Sequence, residues 1–157
     1  MDFKFSSIGY IKTDYKSEDN MPIQGKDANG TGIVVVDDNY LAGLDGLEMF
    51  KYVILIYVFH KSKAVRLKVV PFLDSVERGV FATRAPVRPN HLGFSVVRLL
   101  RRDGNKLYVS NIDVLDGTPL LDIKPYIAKF DIYEDANNGW LSDDLNISKI
   151  KSDGRFK

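Results

Sequence analysis

SVVRLLRRDGNKLYVSNIDVL, residues 95–115, carries two alternating apolar runs that meet at Asp103-Gly104-Asn105. Val97 and Leu99 on one side, and Leu107 and Val109 on the other, recur at every second position. That is the period of a strand with one buried face. An Asp-Gly step between two such runs is a hairpin signal, because glycine accepts the positive φ that a tight reversal of twisted strands requires.

The same rhythm extends outward in both directions. Runs rich in Val, Ile, Tyr and Phe predict strands over residues 5–11, 32–36, 51–59, 67–72, 79–83, 93–100 and 106–114. Turn signals separate them at Asn29-Gly30, Asp37-Asp38-Asn39 and Asp116-Gly117-Thr118. Two short helical segments are expected. Residues 40–50 place Leu41, Leu44, Leu47 and Phe50 three apart, and residues 140–150 form a weaker repeat. Many short strands and few helices predict a mainly β protein, an antiparallel sandwich or barrel. The 157 residues show no internal repeat or linker, so one domain is expected, with residues 129–138 its most loosely packed part.

Composition excludes several chemistries. There is no cysteine, and His60 and His91 are the only imidazoles, so no metal site is expected. Gly43 and Gly46 do not make a dinucleotide-binding fingerprint, and neither a P-loop nor a G-x-S-x-G elbow occurs. The longest apolar run, residues 53–59, is far short of a membrane span, and the first ten residues do not resemble a signal peptide; the expectation is a soluble, cytoplasmic protein with no membrane partner.

A net charge of +1 hides an asymmetry. Residues 60–106 hold eleven Lys or Arg against three Asp or Glu, a balance of +8, which leaves −7 for the remainder. Two readings stand: a phosphate-binding surface, or the solvated face of a strand pair.

Four polar, turn-rich segments sit beside β runs: MPIQG (21–25), FHKSK (59–63), ATRAPVRPN (82–90) and LDGTPLLDIKPY (115–126). Loops on a rigid β scaffold are where binding residues concentrate. His60 reads either as a ligand contact or as a residue capping a strand end. Asp116 reads either as part of a site or as a turn residue bonding backbone groups. The prolines of RAPVRPN fix φ and hold Arg84 and Arg88 at set angles.

In order and spacing these segments resemble the TsaA-like family, also called TrmO or YaeB-like, of S-adenosylmethionine-dependent tRNA methyltransferases. The resemblance is carried by IGYIKTDYK with Pro22 and Gln24, by GLDGLEMFKYVILIYVFH, by GVFATRAPVRPN followed by Gly93 and Ser95, and by NIDVLDGTPLLDIKPY, across roughly residues 6–127. It implies an antiparallel β-barrel methyltransferase that works as a homodimer, with S-adenosyl-L-methionine bound near the subunit interface. The implied substrate is tRNA carrying N6-threonylcarbamoyladenosine beside the anticodon, methylated at N6. Carried over by position, cofactor contacts fall on Pro22, Ile23, Gln24, His60, Lys61, Arg84, Phe94, Leu115, Asp116, Gly117 and Thr118. Arg88, Asn90, Lys124 and Tyr126 are candidates for substrate contact or dimer packing. No catalytic residue is assigned; His60 and Asp116 are the available general-base types. Two departures stand out. His91 occupies the position of the family's proline in RPNPIG, and residues 128–157 form a tail with no additional C-terminal domain. A SAM- or RNA-binding module without turnover, and a methyltransferase for another substrate, remain open readings.

Overall fold

A computed structural model describes residues 1–26 and 28–157. Among these, eight strands form: β1 (Gly9–Thr13), β2 (Thr31–Val36), β3 (Tyr52–Val58), β4 (Lys68–Val69), β5 (Arg78–Gly79), β6 (Leu92–Asp103), β7 (Lys106–Ser110) and β8 (Thr118–Pro125). Six of them close into an antiparallel barrel in the order β1-β2-β7-β6-β3-β8, and β4 pairs with β5 outside it.

Alternation decides what fills the barrel. In β3, Val53, Leu55 and Tyr57 point inward; in β6, Gly93, Ser95, Val97 and Leu99 do. Ile11, Val34, Leu55, Val97, Leu107 and Leu120 are completely buried there. Small barrels are filled by such side chains, each worth about 1.5–3 kcal/mol on burial. The decisive hairpin is β6–β7, turning at Gly104 with φ +59°. A register shift between Leu99 and Arg101 marks a bulge, which twists the end of the hairpin and re-aims its arginines.

The strand that closes the barrel lies where a loop was expected. Residues 118–125 pair with β1 on one side and β3 on the other. Pro119, Asp122 and Pro125 weaken the strand signal, yet Pro119 stands opposite Tyr10 in the ladder and Pro125 ends the strand. Other elements are shorter than their patterns predict. The run at 67–72 keeps only β4, 79–83 gives β5 followed by a 3-10 turn at Val80–Ala82, and 106–114 stops at Ser110. Residues 40–50 fold as two 3-10 turns, Asp38–Leu44 and Leu47–Met49, broken where Gly46 takes φ +81°. Of 140–150, only Ile147–Lys149 makes a 3-10 turn, while an α-turn, α1 (Ala128–Asp131), opens the exposed region after β8.

A second, smaller core of Val69, Val80, Ala85 and Val87 lies beneath the arginine-rich loop, and Phe156 packs against it. The last residues of the chain therefore return to the barrel. Lys151 bridges to Pro22, the Ser152 amide donates to the Met21 carbonyl at 3.0 Å, and Phe156 meets Phe72 edge-on at 4.9 Å.

Candidate functional site

One end of the barrel is open. There β3 runs out into Phe59, His60 and Lys61, β6 begins with Leu92, Gly93 and Phe94, and the turn before β8 presents Leu115 and Thr118. With Pro22, Ile23 and the arginine loop, these enclose a cleft of about 310 Å³. All four sequence segments contribute in part: Met21 to Ile23, Phe59 to Lys61, Thr83, Arg84, Pro86 and Arg88 of the arginine loop, and Leu115 and Thr118.

At the base of the cleft lies a group that the sequence did not single out. The Tyr57 hydroxyl is 3.0 Å from Ser95 Oγ, and Ser95 Oγ donates to Asp113 Oδ1 at 2.7 Å. Tyr57 and Asp113 both line the cleft. With the serine proton committed to the carboxylate, the tyrosine donates to the serine, and the three form a relay with one direction. Tyr57 is clamped: its ring is edge-on to Phe59 at 5.6 Å, and a Cβ on Gly93 would lie 2.1 Å from it. Burial pushes the Asp113 carboxyl above the usual range, against the lowering effect of Ser95 and of the Asp113 and Gly25 amides. Burial, and then the Asp113 charge, push the Tyr57 phenol upward. Gly25 is held close by the same wall, since a Cβ there would come within 2.3 Å of the Asn111 carbonyl.

The rim carries the cations. Arg84 Nη1 donates to Gln24 Oε1 at 3.0 Å, and its guanidinium lies 5.7 Å from the Phe94 ring centroid. Gln24 touches the site through this bond. Thr118 Oγ1 donates to the Leu115 carbonyl at 2.7 Å and lies 3.3 Å from His60 Nδ1. The geometry thus favours the tautomer in which His60 Nδ1 donates to the threonine. Burial, followed by the charge of Lys61, lowers the His60 pKa and keeps the ring neutral near pH 7.

Other candidates are engaged elsewhere. Arg88 borders the cleft, but its Nη1 donates to the carbonyls of Val80, Thr83 and Ala85, so its charge ties the loop rather than facing a ligand. Asp116 accepts from the Thr13 amide at 2.9 Å and pairs with Lys16 at 2.7 Å, bonds that hold its carboxyl below the usual range. Gly117 takes φ +74° in that turn. Asn90 is exposed beside His91. Lys124 pairs with Asp122, and Tyr126 packs edge-on against Tyr52 at the other end of β3, roughly 17 Å along the strand from Tyr57. His91 sits at φ +50°, which proline cannot adopt, so this turn differs from the one a proline would make; its Nε2 lies 3.1 Å from the Ala64 carbonyl.

Several cations of the basic middle are engaged by neighbours. Arg102 is held by Asp45, Glu48 and the Leu44 carbonyl, Arg78 by Asp74, and Arg101 stacks on Tyr108 at 3.4 Å. Lys61 and Arg84 remain at the cleft. The C-terminal residues Ser152, Gly154, Phe156 and Lys157 also wall it, a contribution with no local sequence signal because it depends on the chain's return. No group of three or more metal-ligating side chains occurs among the described residues, and none of their helices is long and apolar enough to cross a membrane.

Comparison with known proteins converges on one family. The model of the tRNA-methyltransferase O N-terminal domain matches residues 10–132. A probable S-adenosyl-L-methionine-binding protein of Pyrococcus abyssi is 46% identical over 97% of this chain and 84% of its own length. The human tRNA (adenine(37)-N6)-methyltransferase is 35% identical over 79% of this chain, which spans only 30% of that protein. The crystal structure of TrmO from Pseudomonas aeruginosa superposes with a TM-score of 0.76 at 38% identity, covering 90% of this chain and 64% of that one.

Proposed function

We propose, from the fact that this chain belongs to the tRNA-methyltransferase O N-terminal-domain family, that it binds S-adenosyl-L-methionine in the barrel-end cleft and methylates tRNA. The finer reading is transfer to N6 of N6-threonylcarbamoyladenosine next to the anticodon. One observation carries the proposal: segments distant in sequence converge on a single cleft whose lining is both apolar and charged. Ile23, Phe59, Phe94 and Leu115 offer apolar walls, Lys61 and Arg84 offer cations, and Asp113 offers an anion. That mixture fits a ligand with an adenosyl group, a carboxylate and positive charge. Pro22, Ile23, Gln24, His60, Lys61, Arg84, Phe94 and the 115–118 turn are assigned to holding it, with Asp116 and Gly117 shaping the turn.

When bound, the cofactor supplies a methyl group already made electrophilic by its sulfonium. The chain's own task is to orient the acceptor and exclude water. The clamped Tyr57 and the loop tied by Arg88 supply rigidity, and Lys61 and Arg84 supply charge for the phosphates and carboxylate of a tRNA acceptor. The exposed Phe81, Leu92 and Phe94, at 76%, 38% and 48%, lie on the arginine loop and at the start of β6. They give a homodimer with the cleft near its interface an apolar surface to cover. Work on tRNA assigns the chain to the cytoplasm.

The test is incubation with S-adenosyl-L-methionine and tRNA that carries or lacks the threonylcarbamoyl group, followed by mass analysis of the nucleosides. A gain of one methyl on the modified nucleoside alone is expected. Methylation of both tRNAs would replace the substrate assignment. The P. abyssi relative is named only for cofactor binding, which favours a second reading as a binding module; saturable cofactor binding with no methylated nucleoside would select it.

A further inference from the structure

Asp113 is the acidic residue at the base of the cleft, bonded to the Ser95 hydroxyl. Its carboxylate sits in the cleft wall, and no Lys, Arg or His of the described residues lies within ion-pair distance of it. A carboxylate in that position is costly unless something compensates its charge. Its Oδ1 accepts from Ser95 Oγ at 2.7 Å, and the Gly25 and Asp113 amides and the Arg84 charge lie near enough to favour its charged form.

This combination is selective. A carboxylate has about four acceptor positions, and an ammonium brings three N–H donors that need them. With Oδ1 committed to Ser95 in a wall largely withdrawn from water, Asp113 offers a charge more readily than the several hydrogen bonds an ammonium demands. A sulfonium suits it better, being a cation with no N–H or O–H. The strongly hydrated ammonium and the carboxylate of a methionine moiety fit the wetter rim, where Arg84, Lys61 and Glu18 stand.

We propose that the Asp113 carboxylate, oriented by Ser95 and Tyr57, is the counter-charge for the sulfonium of the methyl donor, so that the cleft discriminates the charged donor from its neutral demethylated product. The inference rests on the cofactor reading above. Methyl transfer removes the positive charge from sulfur, and the same carboxylate that holds the donor then ceases to hold the product.

The experiment compares S-adenosyl-L-methionine with S-adenosyl-L-homocysteine by calorimetric titration of the wild type and of Asp113→Asn, with a thermal melt to confirm folding. Asparagine keeps the acceptor for Ser95 and removes the charge. The expected result is a loss of about tenfold or more in affinity for the sulfonium ligand and less than about threefold for the thioether. Equal loss for both ligands would make Asp113 only a staple for the Gly25 turn, and no loss for either would make it idle; each overturns the inference while leaving the cofactor site standing. Glu18→Gln is expected to leave the ratio unchanged, and a shift there instead assigns the role to Glu18. If the Asn variant does not fold, the wild type decides: a preference of about fivefold or more for the sulfonium ligand supports the inference, and equal or inverted affinities overturn it. A folded wild type that binds neither ligand removes the cofactor reading itself.

Discussion

The arginine loop and the segment leading into β8 each carry two like charges a few residues apart, and in each pair the two have opposite fates. Arg88 is consumed by three backbone carbonyls of its own loop, while Arg84, four residues earlier, meets Gln24 and the Phe94 face at the cleft. Asp116 is tied to Thr13 and Lys16, while Asp113, three residues earlier, makes no ion pair among the described residues and feels the Arg84 charge only from farther off. In both segments one charge builds the loop and the other is presented by it. Stiffness in RAPVRPN therefore has two sources: its prolines, and the guanidinium of Arg88 itself.

This contrast can be broken by substitution. Arg88→Ala is expected to have the largest effect on the fold, about 2 kcal/mol lost in denaturant unfolding, because charge-assisted bonds to the loop disappear. Faster amide exchange across residues 80–88 would accompany it. A stable variant with an unchanged loop would show that the prolines alone hold the segment. Arg84→Ala should reverse that pattern. Its melting temperature is expected to stay near that of the wild type, while affinity for S-adenosyl-L-methionine falls about tenfold, or ~1.4 kcal/mol. Parallel losses of stability and affinity would erase the distinction between the two arginines.

Asp116→Asn is expected to give the smallest change, ~0.5 kcal/mol in stability after allowing for screening of an exposed ion pair, with little change in cofactor affinity. Its sign with pH follows from the lowered pKa. A carboxyl held below its unfolded value stabilises the fold above about pH 4, and that contribution is lost as pH falls through the folded value. The wild type should therefore lose its small advantage over the variant between about pH 4 and the lower folded pKa. A large loss of cofactor binding in Asp116→Asn would instead return this residue to the cleft.

The sequence reading was strongest where local periodicity carries the information. The hairpin, the strand over β3 and the turn at Asp116-Gly117-Thr118 follow from residue order. The four polar, turn-rich segments beside apolar runs were also legible there, whereas their service of one place was what the family resemblance implied. It was weakest where neighbours distant in the chain override local chemistry. β8 carries two prolines and an aspartate, but a barrel missing one strand has two open edges, and closure favours that segment as strand. Lys124 and Tyr126 belong to the same sequence block as Thr118, yet an extended strand carries them to the far end of the barrel.

Residue order alone thus determined a small all-antiparallel β core and the loops that decorate it, since side-chain period and turn chemistry act within a few residues. Only the tertiary structure decided which charges those loops keep free. Tyr57, Ser95 and Asp113 lie 38 and 18 residues apart and meet because β3 and β6 pair and the chain after β7 folds back beside them. The C-terminal residues wall the cleft only because Ser152 and Phe156 find Met21 and Phe72. Satisfaction of a charge depends on distance in space, and no spacing along the chain encodes whether Asp113 or Asp116 will meet the lysine.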